Sequence, residues 1–222
     1  MSAWRLLPAL ILGWLCGLSA GHAAEKALTV LDAPVAYTAN FSVSGPKGQY
    51  QGQVWHMPGM ERRDYATRGG SQAILLRRDQ NAAYLLNPDR RWYVGLGFDA
   101  VLALGGDLQD LTVERTVVNE ESVAGIKARH ERLHATGSHG QSFDGEGWFS
   151  KEGICLRIRG TMTDRGQVSS PVETSLTNVR LGRVDSSQFD LPKGWFGLDL
   201  KTIPPDKIVP ALEKMRPMLE GR

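Results

Sequence analysis

The stretch from Tyr50 to Leu96 constrains the fold more than any other part of the chain. It reads YQGQVWHMPGMERRDYATRGGSQAILLRRDQNAAYLLNPDRRWYVGL, a series of short apolar or alternating runs with no helical period long enough to compete. The runs are separated at Pro58-Gly59, Arg68-Gly69-Gly70, Asp79-Gln80-Asn81 and Asn87-Pro88-Asp89. Each break joins a residue that tolerates or imposes a turn dihedral to a neighbour that can hydrogen-bond locally, so each run pairs most simply with the next. The spacing predicts an antiparallel meander.

The flanking segments extend that reading. Val35, Tyr37, Ala39, Phe41 and Val43 alternate with polar neighbours, the period of a half-buried strand, before the turn Gly45-Pro46-Lys47-Gly48. Phe98 to Leu111 carries apolar residues at near-helical spacing, broken by Gly105-Gly106, and predicts a short helix with one apolar face. Further strands follow over Leu111 to Val118, Glu120 to Thr136, Gly145 to Phe149, Ile154 to Met162 and Pro171 to Val179. Phe189 to Phe196 reads as a loop presenting aromatics, and 205–219 as an amphipathic terminal helix despite Pro210 and Pro217.

The first residues have the three parts of a secretory signal: Arg5, the apolar run Leu6 to Leu18, and small residues at Gly21, Ala23 and Ala24. They predict export to the periplasm with cleavage near Ala23, leaving residues 24–222 as one domain with a strand-rich core over about 34–200. The whole sequence has a formal net charge of +2, from 26 Lys and Arg against 24 Asp and Glu. That balance gives no electrostatic case for a nucleic-acid partner, even though Arg77-Arg78 and Arg90-Arg91 flank one hairpin beside Tyr84, Trp92 and Tyr93. Cys155, the one cysteine outside the leader, sits in Gly153-Ile154-Cys155-Leu156 and reads as a packed strand position.

The order of several motifs resembles a periplasmic family related to the LolA-like outer-membrane lipoprotein carriers. The pattern is Gly52-x-Val54-Trp55-x-x-Pro58-Gly59-x-x-Arg62, then Arg78-Asp79, Ala83-Tyr84-x-Leu86-x-Pro88-Asp89 and Tyr93. Glu121-x-Val123-x-Gly125, Gly147-Trp148, Gly153-Ile154, Arg157, Leu176-Thr-Asn178-Val179 and Phe189-Asp-Leu-Pro192-x-Gly194 continue it. The resemblance implies a mainly β fold, a curved antiparallel half-barrel with short covering helices and a C-terminal helix. It implies a non-catalytic carrier whose apolar cavity takes lipid or lipoprotein acyl chains, with no metal or other cofactor. On that basis Trp55, Tyr84, Leu86, Trp92, Phe98 and Trp148 are the expected cavity wall, and Arg62 is the expected lid contact. Glu61 and Arg63 depart from the carriers' pattern, which has an aromatic and a tryptophan there.

Two other function classes stand beside this one. An envelope interaction or sensor module would use a sheet edge or the terminal helix on a protein partner. A zinc metallopeptidase would use His130-Glu131-Arg132-Leu133-His134: on a helix both histidines share one face, with Glu131 as general base. On a strand, which the resemblance implies, the two histidines stand ~13 Å apart and one zinc cannot join them.

Overall fold

The computed structural model describes residues 25–26, 32–45, 48–98, 100–101, 111–138, 140–164, 167–168, 171–204, 206–208 and 210. The predicted meander is present as β3 (Gly48–Met57), β4 (Met60–Thr67), β5 (Gly70–Arg77), β6 (Ala82–Asn87) and β7 (Trp92–Gly97), preceded by β2 (Tyr37–Gly45). Each of these strands pairs antiparallel with the next. The Asp79-Gln80 break is a 3-10 turn closed by Asn81 in the left-handed region.

The later half is a second meander of β8 (Thr112–Val123), β9 (Ile126–Thr136), β10 (Ser142–Ser150) and β11 (Cys155–Asp164), to which β12 (Gln167–Val168) adds a short pair. The break expected near Asn119 is a bulge inside β8. The chain reverses instead at Ala124 and Gly125, both at positive φ (50° and 80°), which is the two-residue turn that suits the twist of a hairpin. Cys155 is half-buried at the first position of β11.

β13 (Val172–Leu181) joins the halves by pairing with β11 on one side and β2 on the other. A short β1 (Glu25–Lys26) lies on β8, and β14 (Phe196–Leu200) lies parallel on β7. All fourteen strands belong to one curved sheet that does not close, with β1 and β14 at the ends of its path. This is the mainly β half-barrel expected from the sequence. The helix expected from Phe98 begins there, with Phe98, Ala100 and Val101 helical and buried; 102–110 lie outside the described residues. The terminal helix begins at Asp206 with Ile208 buried, and its continuation to 219 also lies outside them. Among the described residues no helix is long and apolar enough to cross a membrane.

One correction concerns the segment after β13. Of its aromatics only Phe196 is presented to solvent, at 54% exposed, and Trp195 is half-buried. Phe189 is 1% exposed and packs with Ala73, Leu75, Tyr84, Leu86 and Val184, and Leu191 and Trp195 join the same cluster. A 3-10 turn over Ser186–Phe189 lays this segment on the outer face of the first meander, and Asp185 starts the turn by accepting from the Ser187 amide.

Candidate functional site on the concave face

Strand alternation sorts the sheet into two faces, and the inner one is continuous across both meanders. Ala39, Val54, Arg63, Ile74, Leu85 and Val94 face one another across β2 to β7. Val43, Thr174 and Ile158 carry the row through β13 into β11, and Phe41, Leu133, Phe143, Phe149 and Leu176 surround it. The rings of Phe143 and Phe149 lie flat on the sheet because glycine is beneath them. A Cβ at Gly145 or Gly160 would come within 2.6 Å or 2.4 Å of the Phe143 ring, and one at Gly147 within 2.6 Å of Phe149.

Two charged groups interrupt this apolar face. In the first, Glu61 and Arg63 are 5% and 3% exposed, and Arg63 Nε donates to Glu61 Oε1 at 2.6 Å. His56 stacks on Tyr37 with ring centroids 4.9 Å apart; its Nδ1 meets Glu61 Oε2 at 3.2 Å and its Nε2 meets the Ala33 carbonyl at 2.9 Å. Burial alone would raise the Glu61 carboxyl, but Arg63 and His56 outweigh it and hold the group at about 2. Asp32 extends the group by accepting from the Gly59 amide and pairing with Arg78 at 3.2 Å, which ties residues 32–33 to the β3–β4 turn. In the second group, Glu131 lies between Arg115 and Arg129.

The expected site residues do not share one surface. Trp92 and Phe98 belong to the inner cluster, and Trp92 Nε1 is buried with no hydrogen-bond partner among the described residues. Trp55, Tyr84 and Leu86 lie on the outer face beneath the 184–195 segment. Trp148 is 4% exposed and packs with the same core cluster as Trp92 and Phe98, although strand alternation sets it opposite to Phe149 on β10, where its ring stacks on His130 at 4.5 Å with the Arg157 and Arg159 guanidiniums over it. The reason is parity, because residues one apart on a strand point to opposite faces, and aromatic character carries no information about which. Charge masked the inner-face residues Glu61, Arg63 and His56, although their i, i+2 spacing with Tyr65 and Val54 was the available signal.

Arg62 lies on the outer face, against the covering 184–195 segment and away from the concave face where a lid contact was expected. It forms a two-point pair with Asp64, at 2.7 and 2.9 Å, and donates from Nη1 to the Gln188 carbonyl at 3.2 Å. Arg77 repeats the arrangement with Asp79 and the Phe189 carbonyl. A groove of about 820 Å³ remains between this cover and the tips of β3 to β5, lined by Arg62, Asp64, Gln72, Asp190 and Trp195 among others. Replacing Arg62 and Arg77 together by alanine is expected to speed amide exchange over 186–195 by at least 10-fold, since two charged donors to that backbone are lost, while the strand amides keep their protection. Unchanged exchange there would show that apolar packing alone holds the cover.

The H-E-x-x-H sequence lies on β9 and not on a helix. His130 and His134 face outward, pairing with Glu121 and Asp144, while Glu131 points inward to Arg115 and Arg129. Strand geometry thus separates the would-be base from the would-be ligands, and the zinc-peptidase arrangement is not formed. Among the described residues no group of three His, Cys, Asp or Glu side chains is placed to hold a metal.

No family model and no curated protein matches the chain. An uncharacterized conserved protein from Thermus thermophilus is similar in structure, with a TM-score of 0.50 and 10% identity over 75% of this chain and 91% of that one. A chain of the Pseudomonas aeruginosa MucA/MucB complex gives a TM-score of 0.44 and 16% identity over 72% of this chain and 57% of its own length. A Vibrio parahaemolyticus domain described as an outer membrane lipoprotein-sorting protein gives 0.26 and 10% identity over 69% and 89%. At these identities the likeness concerns the fold alone.

Proposed function

We propose that the protein is a non-catalytic periplasmic binding or carrier protein that holds an apolar ligand, the acyl chains of a lipid or lipoprotein, against the concave face. The observation that carries this reading is the largely apolar inner face, interrupted among the described residues only by the two charged groups above, that runs from β7 through β2 to β9 on a sheet that does not close. A sheet curved in this way leaves its inner surface to be covered by something other than its own strands. Each methylene of a chain laid on that surface contributes about 0.8 kcal/mol, and displacement of a cover would offset the gain for release. Native mass spectrometry of protein purified without detergent tests the reading: an added mass that fragments to a lipid is expected, and a chain that is bare and takes up no acyl probe counts against it. Trp92→Glu puts a charge on the inner face and is expected to weaken binding of an anthroyloxy-stearate probe by at least 10-fold with the fold retained. Equal binding would remove Trp92 from the cavity wall.

An envelope interaction module is the second reading, favoured by one feature. β1 pairs only with Thr112 and Val113, so the rest of β8 presents an open strand edge among the described residues, with Val117 and Val118 55% and 49% exposed. Such an edge can accept an added strand from a partner.

A further inference from the structure

We propose that Arg115 and Arg129 form a buried anion site on the β8–β9 part of the concave face, which takes the carboxylate or phosphate of an acyl-chain ligand. The proposal rests on the binding function above and adds the chemistry of the headgroup. Arg115 exposes 9% of its side chain. Its Nε donates to Glu131 Oε2 at 2.5 Å, and its guanidinium carbon lies 4.1 Å from the centre of the Phe149 ring. Nη1 and Nη2 are both buried and neither has a hydrogen-bond partner among the described residues. Arg129 Nε donates to the other Glu131 oxygen, and Glu131 itself is 2% exposed.

Two guanidinium groups therefore share one carboxylate, and the group carries one positive charge in excess. Val117 and Gly147 lie opposite Glu131 on the ladder, Leu133 lies opposite Arg115, and Phe149 and Glu120 lie opposite Arg129; Glu120 is 59% exposed and pairs with Lys127 at 2.5 Å, so its charge is already matched. A structural ion pair would be complete with Arg129 and Glu131 alone. Arg115 adds the surplus charge together with the unmade N–H donors of both Nη atoms, a cost that native folds rarely carry without a use. The planar fork of those donors matches a two-oxygen anion. Val113, Leu133 and Phe149 around it are apolar, which suits a group attached to a hydrocarbon chain.

The test compares cis-parinaric acid with its methyl ester on the wild-type protein at about pH 8, where the free acid is ionised. Dioleoyl phosphatidic acid and dioleoylglycerol serve as competitors. The acid is expected to bind about 10-fold tighter than the ester, and Arg115→Met should abolish that preference while leaving ester affinity unchanged. Stronger competition by phosphatidic acid than by dioleoylglycerol assigns a phosphate; preference confined to the parinarate pair assigns a carboxylate. Equal binding of acid and ester to the wild type overturns the anion site and leaves the apolar-binding reading intact. A preference that survives in Arg115→Met also overturns it. If none of the four lipids binds, both readings fall. The wild-type comparison needs no variant, so it decides the matter even where Arg115→Met does not fold.

Discussion

Glu61→Ala is expected to lower the unfolding free energy by about 3 to 5 kcal/mol, because Arg63 and His56 lose the buried carboxylate they share. The same residue should govern acid stability. Its carboxyl titrates near 4.5 when exposed and is held at about 2 in the fold. A depressed carboxyl contributes stability that is complete above its unfolded value and lost as pH falls through the folded one. About 3 kcal/mol should therefore disappear between pH 4.5 and pH 2. Urea titrations across that range should show a steep acid limb in the wild type and a shallower one in Glu61→Ala. An identical limb in both would mean that Glu61 is not the group responsible. The pair is not required for packing as such: Glu61→Leu with Arg63→Met, which removes both charges at similar volume, should recover most of the loss.

The position of Glu61 and Arg63 also shows where the sequence could be read and where it could not. Turn chemistry located the first meander almost residue by residue, since Pro58-Gly59 and Asn87-Pro88-Asp89 act locally. The parity of the strands was readable too, but it points polar residues outward by default. By that default the alternation Glu61, Arg63, Tyr65 is indistinguishable from a solvated face with one aromatic, and the cross-strand partners His56 and Val54 reveal that it is the inner one. The aromatic residues erred in the opposite direction. Tyr84 and Leu86 are buried and Trp55 is half-buried, as their chemistry demands, yet against the 184–195 cover, whose docking depends on Arg62 and Arg77 reaching carbonyls more than one hundred positions away. β14 escaped for a similar reason: a parallel pairing with β7 leaves no turn signal between the two strands.

Gly145→Ala and Gly147→Ala should both destabilise the fold, but only the second should be rescued by trimming a neighbour. At Gly147 the new methyl would meet Phe149 at 2.6 Å and Leu133 at 2.9 Å, and both are side chains. The expected cost is about 1 to 3 kcal/mol, and Phe149→Leu in the same chain should return much of it as a favourable coupling. At Gly145 the nearest atom is the Arg159 carbonyl oxygen, 2.3 Å away across the β10–β11 ladder, and Phe143 is next at 2.6 Å. Backbone cannot give way without parting the two strands, so about 3 kcal/mol or more should be lost, and Phe143→Leu should not restore it. Urea unfolding of the two double-mutant cycles measures both couplings. If Gly147→Ala and Phe149→Leu prove additive, the flat ring is not supported by the glycine. The distinction bears on the site, because the Phe149 ring is the surface on which the Arg115 guanidinium rests. A ring lifted by a methyl at residue 147 would displace that guanidinium, so Gly147→Ala should also reduce any preference for an anionic acyl chain over its neutral ester, whereas the wild-type floor keeps the charge fixed against an otherwise apolar wall.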